Sequence, residues 1–473
     1  MIIQSVNPST GAINKEFETV SGAEAIKEAK AVAKECRKAF KKWRKLKVAE
    51  RLEYIGKLAE VLRKNKSEYA QLITKEMGKP IKDSEHEIDR CVEICDYYIS
   101  KAVEFLKDEL VQTGNVTPSA LAKSYITFEP LGVILAIKPW NYPFSQAFRT
   151  AIPAIAAGNT VVLRHSNVVP QCALAIEQTF VEAGFPENIF RSIITDYGSA
   201  AALIRSRQIA AVSFTGSTEA GAKVSAIAGK YVKKCVLELG GSDPFIVFKD
   251  ADLNKACEAA VESRFKNAGQ SCIASKRFII VEEKLAEFER ILIEKAQKYV
   301  VGDPASSNTQ IGPLVREEQR KLIEEQVADA LSKGARLLMG GKRIEGNGFF
   351  YMPTILSGIK PNMRVFKEEV FGPVATIIAA KTDSQAISIA NKTDYGLGAI
   401  IWTSNPKRGE KLAKRLEVGL VSINGKVSAD PTMPFGGVKK SGFGRELSHY
   451  GLKEFVNIKS VKVFGLETKP ENK

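Results

Sequence analysis

A chain of 473 residues, 44% apolar and 26% charged, has an ordinary globular composition and is long enough for two or three domains, each with its own core. Its 69 Lys and Arg against 54 Asp and Glu leave a formal charge of +15, but the basic residues of 27–47 follow the polar face of a helical repeat and acidic residues are interspersed throughout, so the excess reads as a solvated surface that attracts anions, not as a nucleic-acid-binding stripe. No stretch approaches the ~20 apolar residues of a membrane span, the N-terminus lacks a basic segment followed by an apolar core, and the seven cysteines form no CxxC pair, which together predict a cytoplasmic, reduced protein with no membrane or nucleic-acid partner.

Residues 20–112 read as several amphipathic helices, interrupted by Gly78, Lys79 and Pro80. Short apolar segments of strand length then appear at 133–137, 159–163, 192–195, 210–214 and 234–237, separated by helix-length amphipathic stretches such as 172–183. This alternation predicts an α/β fold built on a parallel sheet with helices on both faces. A second alternation begins near Pro244, with strands expected at 245–248 and 277–281 and helices at 253–267 and 285–299, and it continues to about residue 440. Two β-rich segments, 122–129 and 454–464, fall outside both patterns and are expected to form a small separate sheet.

Several residues along this framework could carry chemistry. Cys272 follows a predicted helix and a glycine-containing loop, a setting that presents a nucleophilic sulfur to a cleft, although a cysteine is as readily a small core residue. The three histidines, His86, His165 and His449, lie outside its segment, which argues against a cysteine–histidine protease pair. Cys91 and Cys95 share a helix face without complementary ligands, so they are read as core and no metal site is expected. Glu238 ends an apolar strand just before two glycines, as a desolvated general base or a strand-end salt bridge. Residues 216–221, GSTEAG, open a helix at another strand end and suit a phosphate or a simple Ser cap, and the pattern lacks the GxGxxG fingerprint. Asn141, in PWNYP at 139–143, is placed to donate to a developing oxyanion or to sit in an ordinary turn.

Taken in order, PWN at 139–141, GSTEAG at 216–221, LELGG at 237–241, GQSC at 269–272, EVFGP at 369–373 and PFGG at 434–437 resemble the aldehyde dehydrogenase superfamily across essentially the whole chain. The resemblance implies a Rossmann-like cofactor domain (1–117 and 132–240), an α/β catalytic domain (241–440) and a small β oligomerisation element (118–131 and 441–473), assembled as a homodimer or homotetramer. It further implies that Cys272 is the nucleophile, that Asn141 and the Cys272 backbone N–H form the oxyanion hole, and that Glu238 is the base. Glu369 and Phe371 would hold the nicotinamide ribose and ring and Ser217 the pyrophosphate, with Trp140, Gly216, Gly221 and Leu239 completing the cofactor seat. The chemistry so implied is thiolate attack on an aldehyde, loss of hydride to a nicotinamide cofactor, and hydrolysis of the thioester.

Cofactor and substrate expectations rest on finer similarity. NAD-preferring relatives carry Lys followed three positions later by Glu, whereas this chain has Arg164, His165, Ser166 and Asn167; a neutral Asn167 removes repulsion and Arg164 and Ser166 can bind a 2′-phosphate, so NADP is expected, with NAD possible. The stretches 159–174 and 441–461 are similar to the short bacterial and archaeal succinate-semialdehyde dehydrogenases, in which an Arg eight residues after the PWN asparagine helps bind the substrate carboxylate; here it is Arg149, expected to pair bidentately. Where that branch shows Ser-Asp-Pro-Arg, this chain has Ala429, Asp430, Pro431 and Thr432, which leaves glyceraldehyde and other small aldehydes as rival substrates. Coenzyme A-acylating relatives generally lack the LELGG glutamate, so Glu238 favours hydrolysis over thioester transfer, and a non-catalytic role on this fold is the remaining alternative.

Overall fold

The structure is a computed structural model that describes residues 1–111 and 121–464. Its centre is a six-stranded sheet whose strands run, across the sheet, Gly442–Phe443, Lys234–Glu238, Ile209–Thr215, Val133–Lys138, Thr160–His165 and Phe190–Ile193. All but the first are parallel. Strand Val133–Lys138 is buried along its whole length because helices cover both faces. Its side chains alternate accordingly: Ile134 and Ala136 enter one core with helices Val48–Lys64 and Ile81–Phe105, and Val133, Leu135 and Ile137 enter another with Gly22–Trp43 and Tyr197–Arg205.

A seven-stranded sheet follows, ordered Arg336–Met339, Thr354–Ser357, Val374–Ala380, Ser275–Val281, Asp243–Val247, Gly398–Trp402 and Leu420–Ile423, parallel except for the first pair. Residues 239–242 connect the two sheets, since Glu238 ends a strand of one and Asp243 begins a strand of the other, and 424–441 return the chain from Leu420–Ile423 to Gly442–Phe443. The junction thus brings carboxyl ends of strands in the first sheet against amino ends in the second, which is where an open α/β sheet exposes backbone donors to a ligand. The expected separate sheet is antiparallel, ordered Val456–Phe464, Leu121–Pro130 and Glu109–Leu110.

Three differences from the sequence reading have local causes. An N-terminal hairpin, Ile2–Val6 with Ile13–Glu18, was not foreseen because its half-exposed strands carry few apolar residues. Strand Gly442–Phe443 pairs with Lys234–Glu238, so part of the segment 441–473 assigned to bridging edges the first sheet. The helix expected over 253–267 stops at Phe265, because Asn267, Ala268 and Gly269 adopt left-handed φ angles of 53°, 53° and 71°. Only glycine accepts this conformation without strain, and a Cβ at Gly269 would overlap the carbonyl of Gly372. Residues 112–120 and 465–473, within the expected bridging segments or beside them, lie outside the described residues.

Candidate active site

That left-handed turn swings residues 270–274 into the junction between the sheets. The Gln270 amide fastens the loop, donating to the carbonyls of Asn267 at 3.2 Å and Pro313 at 3.4 Å and accepting from the Val315 N–H at 2.9 Å. Five of the seven cysteines, Cys36, Cys91, Cys95, Cys172 and Cys257, are buried; Cys272 is partly open. Burial pushes its thiol up to about 12; Arg149 and then Lys276 pull it down, while Glu369 and Asp243 push it further up. A neutral thiol at neutral pH needs a proton acceptor before it can attack.

Asn141 begins the turn after strand Val133–Lys138 and precedes helix Pro143–Ala156. Its amide orientation is set from both ends: Gln146 Nε2 donates to Asn141 Oδ1 at 3.1 Å, and Asn141 Nδ2 donates to the Gln270 carbonyl at 3.0 Å. Asn267 Nδ2 reaches the Asn141 carbonyl at 3.1 Å, so the PWN turn and the nucleophile loop are bonded directly. An amide nitrogen carries two donors, and one remains for an oxygen beside Cys272.

Glu238 is only 2% exposed, and both carboxyl oxygens are buried without a hydrogen-bond partner among the described residues. The strand-end salt bridge considered above is therefore not what the fold provides. Burial raises its pKa well above the carboxylate range, Glu446 raises it further, and Arg149, Lys138 and Arg445 oppose the shift. Gly436 of the PFGG motif packs against it closely enough that a Cβ would sit 2.6 Å from Oε1. A carboxyl desolvated in this way is a stronger base than one in water.

Arg149 has a carboxylate partner that the sequence did not announce. It projects from helix Pro143–Ala156 and is buried, with Nε donating to Glu446 at 2.8 Å, Nη2 bonded to the same carboxylate oxygen, and the guanidinium 4.1 Å above the Phe435 ring. Its Nε–Nη2 edge is thus committed, which rules out the bidentate use of that edge by a substrate carboxylate. Among the described residues Nη1 makes no hydrogen bond and Nη2 makes one, so the Nη1–Nη2 edge stays available. Lys138, buried at the end of its strand, donates to Glu446 Oε1 at 2.8 Å, to Ser213 at 2.9 Å and to Thr215 at 2.9 Å. Burial raises the Glu446 pKa, but Arg149 and Lys138 outweigh it and hold the carboxylate down at about 2.

Of the residues expected at the cofactor, Trp140, Arg164, Ser166, Asn167, Gly216, Ser217 and Leu239 lie at or just past the carboxyl ends of parallel strands of the first sheet, Gly221 in the helix that follows one of them, and Glu369 and Phe371 just before strand Val374–Ala380 of the second. Trp140 and Phe371 meet edge to face, with centroids 5.7 Å apart. Glu369 Oε1 accepts from the Gly241 N–H at 3.0 Å. Ser217 caps helix Thr218–Lys230, accepting from Ala220 at 3.3 Å, and Gly216 donates to the Glu238 carbonyl at 3.0 Å. A Cβ at Gly221 would overlap Leu239, so this glycine is needed for helix-to-loop packing. Arg164 Nη2 lies 3.1 Å from the Thr195 carbonyl and 3.4 Å from Asn167 Oδ1, while Arg164 Nε and Thr195 Oγ1 are buried without partners among the described residues. Ser166 Oγ accepts from Val168 at 3.3 Å. A buried guanidinium with an unused N–H, beside a serine and a neutral amide, fits the 2′-phosphate of NADP. Among the described residues no cluster of His, Cys, Asp and Glu could hold a metal, and no helix is long and apolar enough to cross a membrane.

Over residues 1–461 the sequence matches the aldehyde dehydrogenase family. The chain belongs to that family. Similar curated proteins include a probable succinate-semialdehyde dehydrogenase (NADP+) of Synechocystis, 43% identical over 98% of this chain and 99% of its own. Another is a succinate semialdehyde dehydrogenase (NAD(P)+) of Escherichia coli, 42% identical over 97% of each chain. Among solved structures, the succinic semialdehyde dehydrogenase of Streptococcus pyogenes in complex with NADP+ superimposes with a TM-score of 0.93 at 34% identity, covering 98% of this chain and 100% of its own.

Within this aldehyde dehydrogenase, sequence reasoning overlooked Lys138, Glu446 and Lys276. Lys138 and Lys276 each occur in a strand that is otherwise largely apolar, VILAIK and SKRFIIV, and a lysine in such a strand is the available signal that a buried counter-ion awaits it. Which carboxylate each meets is set by other segments of the chain: Glu446, 308 residues on, for Lys138, and Glu369 for Lys276.

Proposed function

We propose that this aldehyde dehydrogenase oxidises succinate semialdehyde to succinate with NADP+, through a thioester on Cys272. One observation carries the catalytic reading: at the junction of the two sheets the partly open Cys272 thiol and the buried Glu238 carboxyl, which has no hydrogen-bond partner among the described residues, both lie in the field of the Arg149 guanidinium. Glu238 takes the thiol proton, and the Cys272 thiolate adds to the aldehyde carbon. Asn141 Nδ2 and the Cys272 N–H then hold the resulting oxyanion. Addition is what makes hydride departure feasible, since an alkoxide carbon releases hydride far more readily than a free carbonyl. Bound NADP+ supplies the hydride acceptor; Arg164, Ser166 and Asn167 would hold its 2′-phosphate, Ser217 its pyrophosphate, and Glu369 with Phe371 its nicotinamide end. Glu238 passes the thiol proton to solvent and then takes one from water; the hydroxide so formed adds to the thioester carbon, the Cys272 sulfur leaves and is reprotonated, and the acid is freed. A carboxyl with no competing partner favours water over coenzyme A as the acceptor of the acyl group.

Succinate semialdehyde as substrate is supported by the names of relatives matched along the whole chain and by the open Nη1–Nη2 edge of Arg149. We assign the cofactor role to 1–117 and 132–240 and the catalytic role to 241–440. We further assign subunit contact to the three-stranded sheet, whose edge strand Val456–Phe464 exposes Ile458, Val463 and Phe464. An unpaired, apolar edge of that length is made to be covered by another chain. Mass photometry should show dimers or tetramers, and a monomer at micromolar concentration would remove this assignment.

The deciding experiment is an initial-rate panel of succinate semialdehyde, glyceraldehyde, glyceraldehyde 3-phosphate and unbranched aliphatic aldehydes, each with NADP+ and NAD+, with and without coenzyme A. The highest kcat/KM is expected for succinate semialdehyde with NADP+ and without the thiol. Strict dependence on coenzyme A, or a clear preference for NAD+, would overturn the corresponding part of the proposal.

A further inference from the structure

Lys276, the second residue of strand Ser275–Val281, is fully buried, yet the chemistry above makes no use of its charge. Its Nζ donates to three backbone carbonyls of the nucleophile loop, Ser271 at 3.0 Å, Cys272 at 2.7 Å and Ala274 at 3.2 Å. An ammonium has three donors, so the loop occupies all of them. The charge is met by the Glu369 carboxylate, 3.6 Å away, and by Asp243 at the start of the adjacent strand. Glu369 is in turn bonded to the Gly241 N–H at 3.0 Å, and Gly241 packs so tightly on the loop that a Cβ would lie 2.7 Å from the Cys272 carbonyl oxygen. Carbonyl, ammonium, carboxylate and backbone amide therefore close a ring around the junction. Arg264, another buried cation nearby, points its donors elsewhere, to the carbonyls of Gly269 at 2.6 Å and Ser275 at 3.1 Å.

We propose that Lys276 is a positioning residue that ties the backbone of Cys272 to the Glu369 carboxylate, so that the nucleophile and the carboxylate seating the cofactor's ribose keep one register. This rests on the roles proposed above for Cys272 and Glu369. Desolvating a cation is costly, and a neutral donor would satisfy carbonyls at less expense; only a charge also orders a carboxylate on its other side. The same charge faces the Cys272 thiol and favours its ionised form, together with Arg149 and against Glu369 and Asp243. A merely structural lysine would set stability alone. A positioning lysine sets cofactor affinity and thiol reactivity together, and displacements of about 1 Å in such sites cost up to about 10²-fold.

The test compares the wild type with Lys276→Met, Glu369→Gln, the double variant and Cys272→Ser, reading KM for NADP+, KM for the aldehyde, kcat and the rate of Cys272 alkylation by iodoacetamide at fixed pH. Lys276→Met should raise KM for NADP+ about tenfold and slow alkylation about tenfold, leaving KM for the aldehyde within about twofold. The double variant should have a KM for NADP+ within about twofold of the worse single variant, because both remove the same contact. If Lys276→Met does not accumulate as folded protein, Lys276→Gln, which keeps amide donors and lacks the charge, carries the same comparison. A folded variant that melts earlier but keeps wild-type KM for NADP+ and wild-type alkylation overturns the proposal. Turnover by Cys272→Ser would instead overturn the reading of the nucleophile itself, whatever Lys276 does.

Discussion

Replacing Asn141 by Ala removes a donor whose aim is unusually well determined. Gln146 holds its Oδ1 at 3.1 Å and the Gln270 carbonyl takes one N–H at 3.0 Å, which leaves the second N–H for the oxyanion formed at Cys272. Loss of one such preorganised donor costs about 10²–10³ in kcat, or roughly 2.7–4 kcal/mol of transition-state stabilisation. The same substitution strands one buried group, Gln146 Nε2, at about 1–3 kcal/mol, because the Gln270 carbonyl keeps the hydrogen bond from Asn267 Nδ2 at 3.3 Å. Against a typical stability of about 5–15 kcal/mol this leaves the variant folded, with a lower Tm. The assay is NADPH formation at saturating aldehyde and NADP+, on protein shown by circular dichroism to be folded at the assay temperature. KM for the aldehyde should change little, since the donor acts on charge that develops after binding. A folded Asn141→Ala enzyme within about threefold of the wild-type kcat would refute the oxyanion role.

Glu238→Gln should give a burst of NADPH close to one per subunit if thiol ionisation survives, then steady turnover lowered by about 10²–10⁴; unchanged steady turnover would remove Glu238 from hydrolysis. Asn167→Glu places a carboxylate beside the guanidinium of Arg164, and repulsion of about 2 kcal/mol toward a 2′-phosphate should lower kcat/KM for NADP+ about thirtyfold while sparing NAD+, as the ratio of initial rates will show. Glu446, held at about 2 by Arg149 and Lys138, contributes stability that is full above its ordinary value of 4.5 and is lost as pH falls from there through about 2. The difference in urea midpoint between pH 6 and pH 3 should therefore be larger for wild type than for Glu446→Gln, and equal differences would contradict the buried charge cluster.

Local sequence determined a good deal of this protein. Continuous apolar runs such as VILAIK can only be strands covered on both faces, and their alternation with amphipathic helices dictates two largely parallel sheets. The motifs around Asn141, Glu238 and Cys272 were legible because turn and loop chemistry is written in adjacent residues, and a polar group at the end of an apolar strand is conspicuous. Tertiary structure decided what those groups face. Nothing near Arg149 in the chain announces Glu446, which arrives from 297 residues away and takes the Nε–Nη2 edge of the guanidinium. Nothing near Cys272 announces that Lys276 will face Glu369 across the junction, or that Glu238 will be left without a hydrogen-bond partner among the described residues. Charge pairing in a buried site depends on distance in space and on exclusion of water, and neither quantity is a property of neighbouring residues along the chain.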